Sequence, residues 1–184
     1  MKKRIIALLL LFGMFAMPNT AFAASVSDFS DLPDDWSRGA IERAIENGLL
    51  SGSNGRINAS AQLTRAELAA IVVRAFGAAE TASLSGFSDV APSDWYYEPL
   101  QKAVAMGVLS GAHGKLNPTA PITREEVCAV LYRAFLLQDG GNAAQRFGDA
   151  RQISDWAQAA VAAMAAKGYI AGDSGGNVNA SKTI

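Results

Sequence analysis

Apolar residues recur at helical spacing in two kinds of segment, and each kind occurs more than once. Ile41, Ala44, Ile45 and Leu49 share one face, and Leu100, Ala103, Val104 and Val108 repeat that face 59 residues later. The 3.6-residue period predicts an amphipathic helix at both places. Pro99 confines the start of the second copy to about Trp95–Glu98, because proline is accommodated only in a first helical turn. A stronger stripe runs through Leu68, Ile71, Val72, Ala75 and Phe76, and again through Val127, Val130, Leu131, Ala134 and Phe135. Ahead of each stands a threonine followed three residues later by a glutamate, Thr64 with Glu67 and Thr123 with Glu126. This is the pattern of a capping box, in which each side chain satisfies the other residue's N–H.

The same landmarks divide the chain into three blocks. They open at Phe29-Ser30-Asp31, Phe87-Ser88-Asp89 and Phe147-Gly148-Asp149, and each reaches a tryptophan: Trp36, Trp95 and Trp156. Twelve residues after each tryptophan comes Gly48, Gly107 or Gly168, placed for a left-handed helix cap. Gly52, Gly111 and Gly172 follow four residues later. Each block therefore reads as helix, loop, helix. No single pair can bury its own stripe, so the copies must stack. The segments 78–86 and 138–146 are poor in large apolar residues and read as linkers. The expected organisation is 1–23, a leader; 24–77, 87–137 and 147–184, three repeats; and the two linkers between them.

The leader carries its own pattern. Met1-Lys2-Lys3-Arg4 is basic, Ile5 to Met17 is an uncharged apolar run, and Ala21-Phe22-Ala23 offers small residues to a signal peptidase. The run is too short to span a bilayer well, so no stable membrane anchor is expected after cleavage. The whole chain has 16 Lys and Arg against 17 Asp and Glu, and loss of the three leader cations leaves a formal charge of −4. Such a domain lacks the basic footprint of a nucleic-acid binder. Cys128 is the single cysteine, so stability must come from the core; its helical spacing with apolar residues makes it a buried hydrophobe. One His and one Cys at this separation cannot build a metal site without further ligands. His113 stands where the first block has Asn54, which argues against catalysis, and no hydrolase or phosphate-loop motif occurs. No cofactor is expected.

The ordered set Phe-x-Asp, Trp, Gly-x-x-x-Gly and Ile/Leu-Thr-Arg-x-Glu resembles the S-layer homology repeat of bacterial envelope proteins, from Phe29 to about Ile184. The resemblance implies an all-α fold: three helix-loop-helix repeats in a pseudo-three-fold arrangement, with the helices after Thr-Arg-x-Glu in the centre. It implies grooves between repeats that bind secondary cell-wall polymers or peptidoglycan-linked glycans, often bearing pyruvate ketals. Carried onto this chain, the implied groove residues are Arg65 and Arg124, Trp36, Trp95 and Trp156, and Gly52, Gly111 and Gly172; Thr64, Glu67, Thr123 and Glu126 are structural caps. It further implies export to the wall or surface of a Gram-positive bacterium. The third repeat stops at Lys182-Thr183-Ile184, where alignment with Pro121-Ile122 puts its Thr-Arg-x-Glu next, so the last central helix is expected to be missing and apolar surface uncovered.

The residues themselves leave alternatives open. Arg65 and Arg124 each follow a threonine cap, at a helix end suited to anions, where a guanidinium fork suits a carboxylate. The competing partner is a protein carboxylate such as Asp31 or Asp89. The tryptophans are expected mainly to pack, with an edge on a groove. The recurrent aspartates read as structural acceptors, and the glycines as tight turns that also let a glycan near the backbone. The chain is thus expected to anchor an exported protein to the wall without covalent bonds. The alternatives are the targeting module of a longer secreted wall hydrolase or glycanase, with catalysis beyond residue 184, or a lattice-forming unit.

Overall fold

The computed structural model describes residues 24–184, and the predicted leader, 1–23, lies outside them. The described residues hold five α-helices and no strands: α1 (Arg38–Glu46), α2 (Arg65–Ala75), α3 (Tyr97–Ala105), α4 (Arg124–Ala134) and α5 (Gln158–Ala166), with four short 3-10 turns. The fold is all-α, as the stripes predict. Helix α3 begins at Tyr97, which puts Pro99 in its first turn. Both capping boxes form: the Glu67 N–H donates to Thr64 Oγ1 at 3.2 Å and the Thr64 N–H to Glu67 Oε2 at 2.8 Å. Thr123 and Glu126 repeat this at 3.3 and 2.9 Å. Gly48, Gly107 and Gly168 take φ of 68°, 69° and 72°, the left-handed caps expected after α1, α3 and α5.

Packing follows a relay from one repeat to the next. Helix α2 of the first repeat packs on α3 of the second, and α4 of the second on α5 of the third. One core gathers Leu68, Val72, Leu100, Val108 and Leu116; another gathers Cys128, Phe147, Val161, Met164 and Val178. The buried faces are rotated from the expected stripes. On α2 the buried residues include Ala66, Ala69, Ala70 and Val73, while Ala75 and Phe76 are exposed. The cause is that a central helix meets neighbours on more than one side, so small residues on the flank the stripe ignored become contacts. Helix α5 buries six of its nine residues, four of them alanine. Helix α1 buries only Ile45.

The connectors are less solvated than their composition suggests. Leu84 in the first is buried in the α2–α3 core, and Ala144 in the second is buried beneath α5, within the 3-10 turn Gly141–Arg146. A Cβ on Gly140 would run into the backbone of Ala162, so this connector lies directly on α5.

The three repeats meet in a closed ring of backbone bonds. Ile122 N–H donates to Leu63 O at 2.8 Å, Ile184 N–H to Ile122 O at 3.2 Å, and Leu63 N–H to Ile184 O at 2.7 Å. These are the residues one step before Thr64 and Thr123, and the aligned residue of the third repeat. The pseudo-three-fold relation is thereby written into the hydrogen bonding.

Candidate functional site

A groove of about 370 Å³ opens between repeats. The first repeat supplies Arg65, the second Ser110, Gly111, Glu126 and Arg133, and the third Trp156. Three of the predicted residues, one from each repeat, therefore converge: Arg65, Gly111 and Trp156.

Arg65 is the most tightly held of them. Its side chain is 12% exposed. Nε donates to Leu116 O at 2.8 Å, Nη2 to Ser110 O at 3.1 Å, and Nη1 to Glu126 Oε1 at 2.6 Å. A protein carboxylate is present, but it is Glu126, not Asp31 or Asp89. The choice follows from the caps: Glu126 spends Oε2 on the Thr123 N–H and has Oε1 free to face the preceding repeat. Asp31, Asp89 and Asp149 are otherwise engaged. Each accepts from two consecutive loop N–H groups, of Ile57 and Asn58, Leu116 and Asn117, and Val178 and Asn179, at 2.7–3.0 Å. They are structural acceptors. Asn58, Asn117 and Asn179 stand at φ near 50° at the end of each clamp, a region asparagine tolerates better than most residues.

The helix ends are not anion sites. The Arg65 and Ala66 N–H groups donate to Ala120 O and Pro118 O, and those of Arg124 and Glu125 to Lys182 O and Ala180 O. The next repeat fills each helix N-terminus with carbonyls, so any ligand must be met by side chains. Arg124 donates Nε to Val178 O at 2.8 Å and makes no ion pair with a described carboxylate. It lines a separate, mainly apolar pocket of about 170 Å³ with Cys128, Met164 and Ile184. There burial, opposed by the charge of Arg124, pushes the Cys128 thiol up to about 11. The cysteine is a buried, protonated hydrophobe.

The tryptophans do not mainly pack. Trp36, Trp95 and Trp156 are 93%, 62% and 57% exposed. Trp156 alone lines the groove; it sits in the 3-10 turn Asp155–Ala157, which packs on α4. Trp36, Trp95, Gly52 and Gly172 line neither of these two pockets. The glycines are explained sterically: a Cβ on Gly52 would strike the Phe29 ring and Arg56 O, and one on Gly111 the Phe87 ring and Lys115 O. Beside Gly52 and Gly111 the position a side chain would take is occupied by the repeat's own opening phenylalanine, and beside Gly172 by the backbone of Gly176. His113 and Asn54 share φ near 51°, which identifies both as turn residues.

Two contributors escaped the sequence reading. Glu125 is buried and accepts from the Ser154 N–H at 3.0 Å and the Ser154 hydroxyl at 2.8 Å, which fixes the turn carrying Trp156. Its block-one counterpart is Ala66, so no repetition announced it. Arg133 donates Nη1 to Val108 O at 3.2 Å, as Arg74 does to Leu49 O at 3.1 Å. These two arginines recur 59 residues apart, a signal that was available in the sequence.

The S-layer homology domain model matches residues 28–69, 86–128 and 146–184, coinciding with the three repeats. Among curated proteins the chain is 33% identical over 172 residues to an exoglucanase of Acetivibrio thermocellus, covering 91% of this chain and 16% of that protein. It is 31% identical over 150 residues to an amylopullulanase of Thermoanaerobacterium thermosulfurigenes, covering 79% and 8%. It is 28% identical over 159 residues to the surface-layer 125 kDa protein of Lysinibacillus sphaericus, covering 85% and 13%. The chain spans less than a fifth of each of these relatives. With three matched repeats over most of its length, this chain belongs to the S-layer homology domain family.

Proposed function

We propose that the chain is a cell-surface anchor that holds an exported bacterial protein to a glycan of the wall, a secondary cell-wall polymer, by non-covalent binding in the groove between repeats. The observation that carries this is the convergence of Arg65, Gly111 and Trp156 from three different repeats on one groove. Trp156 offers an exposed ring face for stacking on a sugar, and Arg65, locked by Glu126, offers its remaining N–H groups to ring and carboxylate oxygens. The secretory leader expected at residues 1–23 and a Gram-positive wall fit this reading. Arg124 marks a second candidate site, and two sites on one chain would add avidity.

A second reading is favoured by the names of the relatives. Several are glycanases whose similarity to this chain falls on the repeat region. In that reading the repeats target a longer secreted glycanase to the wall, by the same groove.

Co-sedimentation with purified Gram-positive walls, before and after chemical stripping of the secondary polymer, tests the anchor. Binding is expected to vanish with the polymer and to weaken by up to about tenfold in Trp156→Ala, given the usual worth of an aromatic stacking contact. Undiminished binding to stripped walls sinks the polymer as ligand.

A further inference from the structure

We propose that Asn54 is a site of spontaneous covalent modification: the backbone nitrogen of Gly55 attacks the Asn54 side-chain amide, ammonia leaves, and water opens the resulting ring to aspartate or isoaspartate, which unfastens the opening segment of the first repeat. Two Asn-Gly pairs occur in the chain, Asn47-Gly48 and Asn54-Gly55. Glycine after asparagine obstructs this attack least, because its nitrogen neighbours no β-carbon. The two pairs differ in what holds them. At the end of α1 the Gly48 N–H donates to Ile45 O at 2.8 Å and Asn47 Nδ2 to Arg43 O at 2.7 Å, so nucleophile and leaving group are both engaged. Asn54 and Gly55 are exposed, and neither the Gly55 N–H nor the Asn54 side chain has a hydrogen-bond partner among the described residues. In the reaction the Gly55 nitrogen gives its proton to solvent base and bonds to Asn54 Cγ. The Cγ–Nδ2 bond breaks, and the departing nitrogen takes up a proton. Water then cleaves the imide at Cγ, which leaves aspartate, or at the Asn54 backbone carbonyl, which routes the main chain through the side chain as isoaspartate. The net change is amide plus water to acid plus ammonia, with no redox step.

Turn geometry supplies the competing account. Asn54 and Gly55 take φ of 51° and 70° between paired bonds, from Ser53 N–H to Arg56 O at 2.8 Å and from Arg56 N–H to Ser53 O at 3.0 Å. Asn-Gly is the favoured pair for such a two-residue turn. The second repeat separates the two roles. His113 and Gly114 make the same turn at 52° and 70°, so the fold does not require asparagine there, and histidine cannot form the ring. The turn also has a task. Gly55 O accepts from the Ser30 N–H at 3.1 Å, as Gly114 O does from that of Ser88 at 2.9 Å. Isoaspartate adds a backbone atom between Ser53 and Arg56, so the paired bonds and the Ser30 bond cannot all persist. The segment released is Phe29–Asp31, whose aspartate holds the Ile57 and Asn58 N–H groups. It belongs to the repeat whose α1 buries only Ile45. No residue lining the groove lies in this turn. The change is one-way, so it accumulates with the age of the protein.

The test incubates the full chain at neutral and mildly alkaline pH and maps its peptides by mass spectrometry, with fragmentation that separates isoaspartate from aspartate. Conversion is expected at Asn54 roughly ten- to a hundredfold faster than at Asn47, where two hydrogen bonds must open first. It should quicken with pH, since the deprotonated nitrogen attacks. Asn54→His, which copies the second repeat, is expected to abolish it while keeping the circular dichroism of the parent. In the isolated isoaspartate form the Ser30 amide should exchange faster than in the parent. It should also exchange faster than in freshly prepared Asn54→Asp, which adds the charge without the extra backbone atom. An Asn54 that stays amidated, or that outlasts Asn47, overturns the proposal. A Ser30 amide equally protected in all three forms overturns its structural consequence.

Discussion

At the scale of single residues, polar side chains fix where the groove's parts stand. Glu125 is a buried carboxylate whose partners, the Ser154 N–H and hydroxyl, belong to the next repeat. Glu125→Ala should leave those half-buried donors unpaired and destabilise by about 1 kcal/mol. It should also loosen the Trp156 turn, so the urea midpoint falls and the Trp156 indole signal broadens; a sharp, unshifted indole signal would sever Glu125 from Trp156. Leu136 is a different case. It takes φ of 49° and is 83% exposed, in the position where the first repeat has Gly77 at 61°. A left-handed non-glycine residue costs about 1–2 kcal/mol, partly offset in any glycine variant by the freer unfolded chain. Leu136→Gly should therefore raise stability by up to about 1 kcal/mol, seen as a higher thermal midpoint. The carboxylates give a pH prediction. The Ile57 N–H, joined by those of Asn58 and the charge of Arg56 and opposed by burial, holds Asp31 below its ordinary value of 3.8. Asp173 is lowered chiefly by the Asn177 N–H, then by the Asn179 amide. A lowered folded pKa means the unfolded state binds the proton first, so this stability is complete above the ordinary carboxylate range and is lost as pH falls through the folded values. Thermal midpoints should drop below about pH 4, the ordinary carboxylate value, and less steeply in Asp31→Asn.

At the scale of elements, helix ends were the most legible feature because their signals are local. Thr64-x-x-Glu67 and Thr123-x-x-Glu126 state their own hydrogen bonds, and Gly48, Gly107 and Gly168 state where α1, α3 and α5 stop. What the sequence hid depends on contacts between repeats. The rotation of the buried face on α2 arises from packing on α3 and from α4 residues such as Val130 that join the same core, which periodicity within one helix cannot register. Likewise Leu84 and Ala144 lie in segments whose average composition is that of a linker, yet single residues in them reach the core. The groove was legible in part. Arg65, Gly111 and Trp156 stood out by repetition, but their meeting depends on a cyclic offset, one residue per repeat, that linear alignment does not display. Glu126 joins both scales, since it caps α4 with one oxygen and holds Arg65 of α2 with the other. Glu126→Gln can keep the cap, because glutamine serves at that position, but removes the charge facing a guanidinium with little solvent. Stability should fall by about 2 kcal/mol, while affinity for acidic sugars rises because Arg65 is no longer neutralised. A variant that loses affinity for glucuronate would show that Glu126 orders the site more than it screens it.

At the scale of the whole molecule, the order of the repeats is enforced by the small ring of backbone bonds through Leu63, Ile122 and Ile184. Around it, each central helix that is described has its N-terminus filled by carbonyls of the next repeat: α2 by Pro118 and Ala120, α4 by Ala180 and Lys182. The far ends of the same helices are looser. Phe76 and Phe135 meet edge to face at 5.3 Å and Phe135 approaches Tyr169 at 6.2 Å, yet all three rings are exposed. The domain is therefore closed by polar backbone contacts at one end and only partly covered by apolar ones at the other. Deleting Lys182–Ile184 attacks the closed end. It removes the Lys182 carbonyl from the Arg124 N–H, both ring bonds of Ile184 and the 2.8 Å bond from Gln62 to Thr183, while leaving every helix intact. With the Lys182 N–H bond to Asn179 O, five hydrogen bonds are lost, and at about 0.5–1.5 kcal/mol each they give an expected loss of about 5 kcal/mol. Because the Leu63–Ile122 bond survives, the loss should fall unevenly. Amide exchange should quicken most at Leu63 and Arg124, whose N–H groups lose their acceptors, and least along α3. Uniform acceleration across all five helices would show instead that the ring holds the entire fold and not merely the third repeat's place in it.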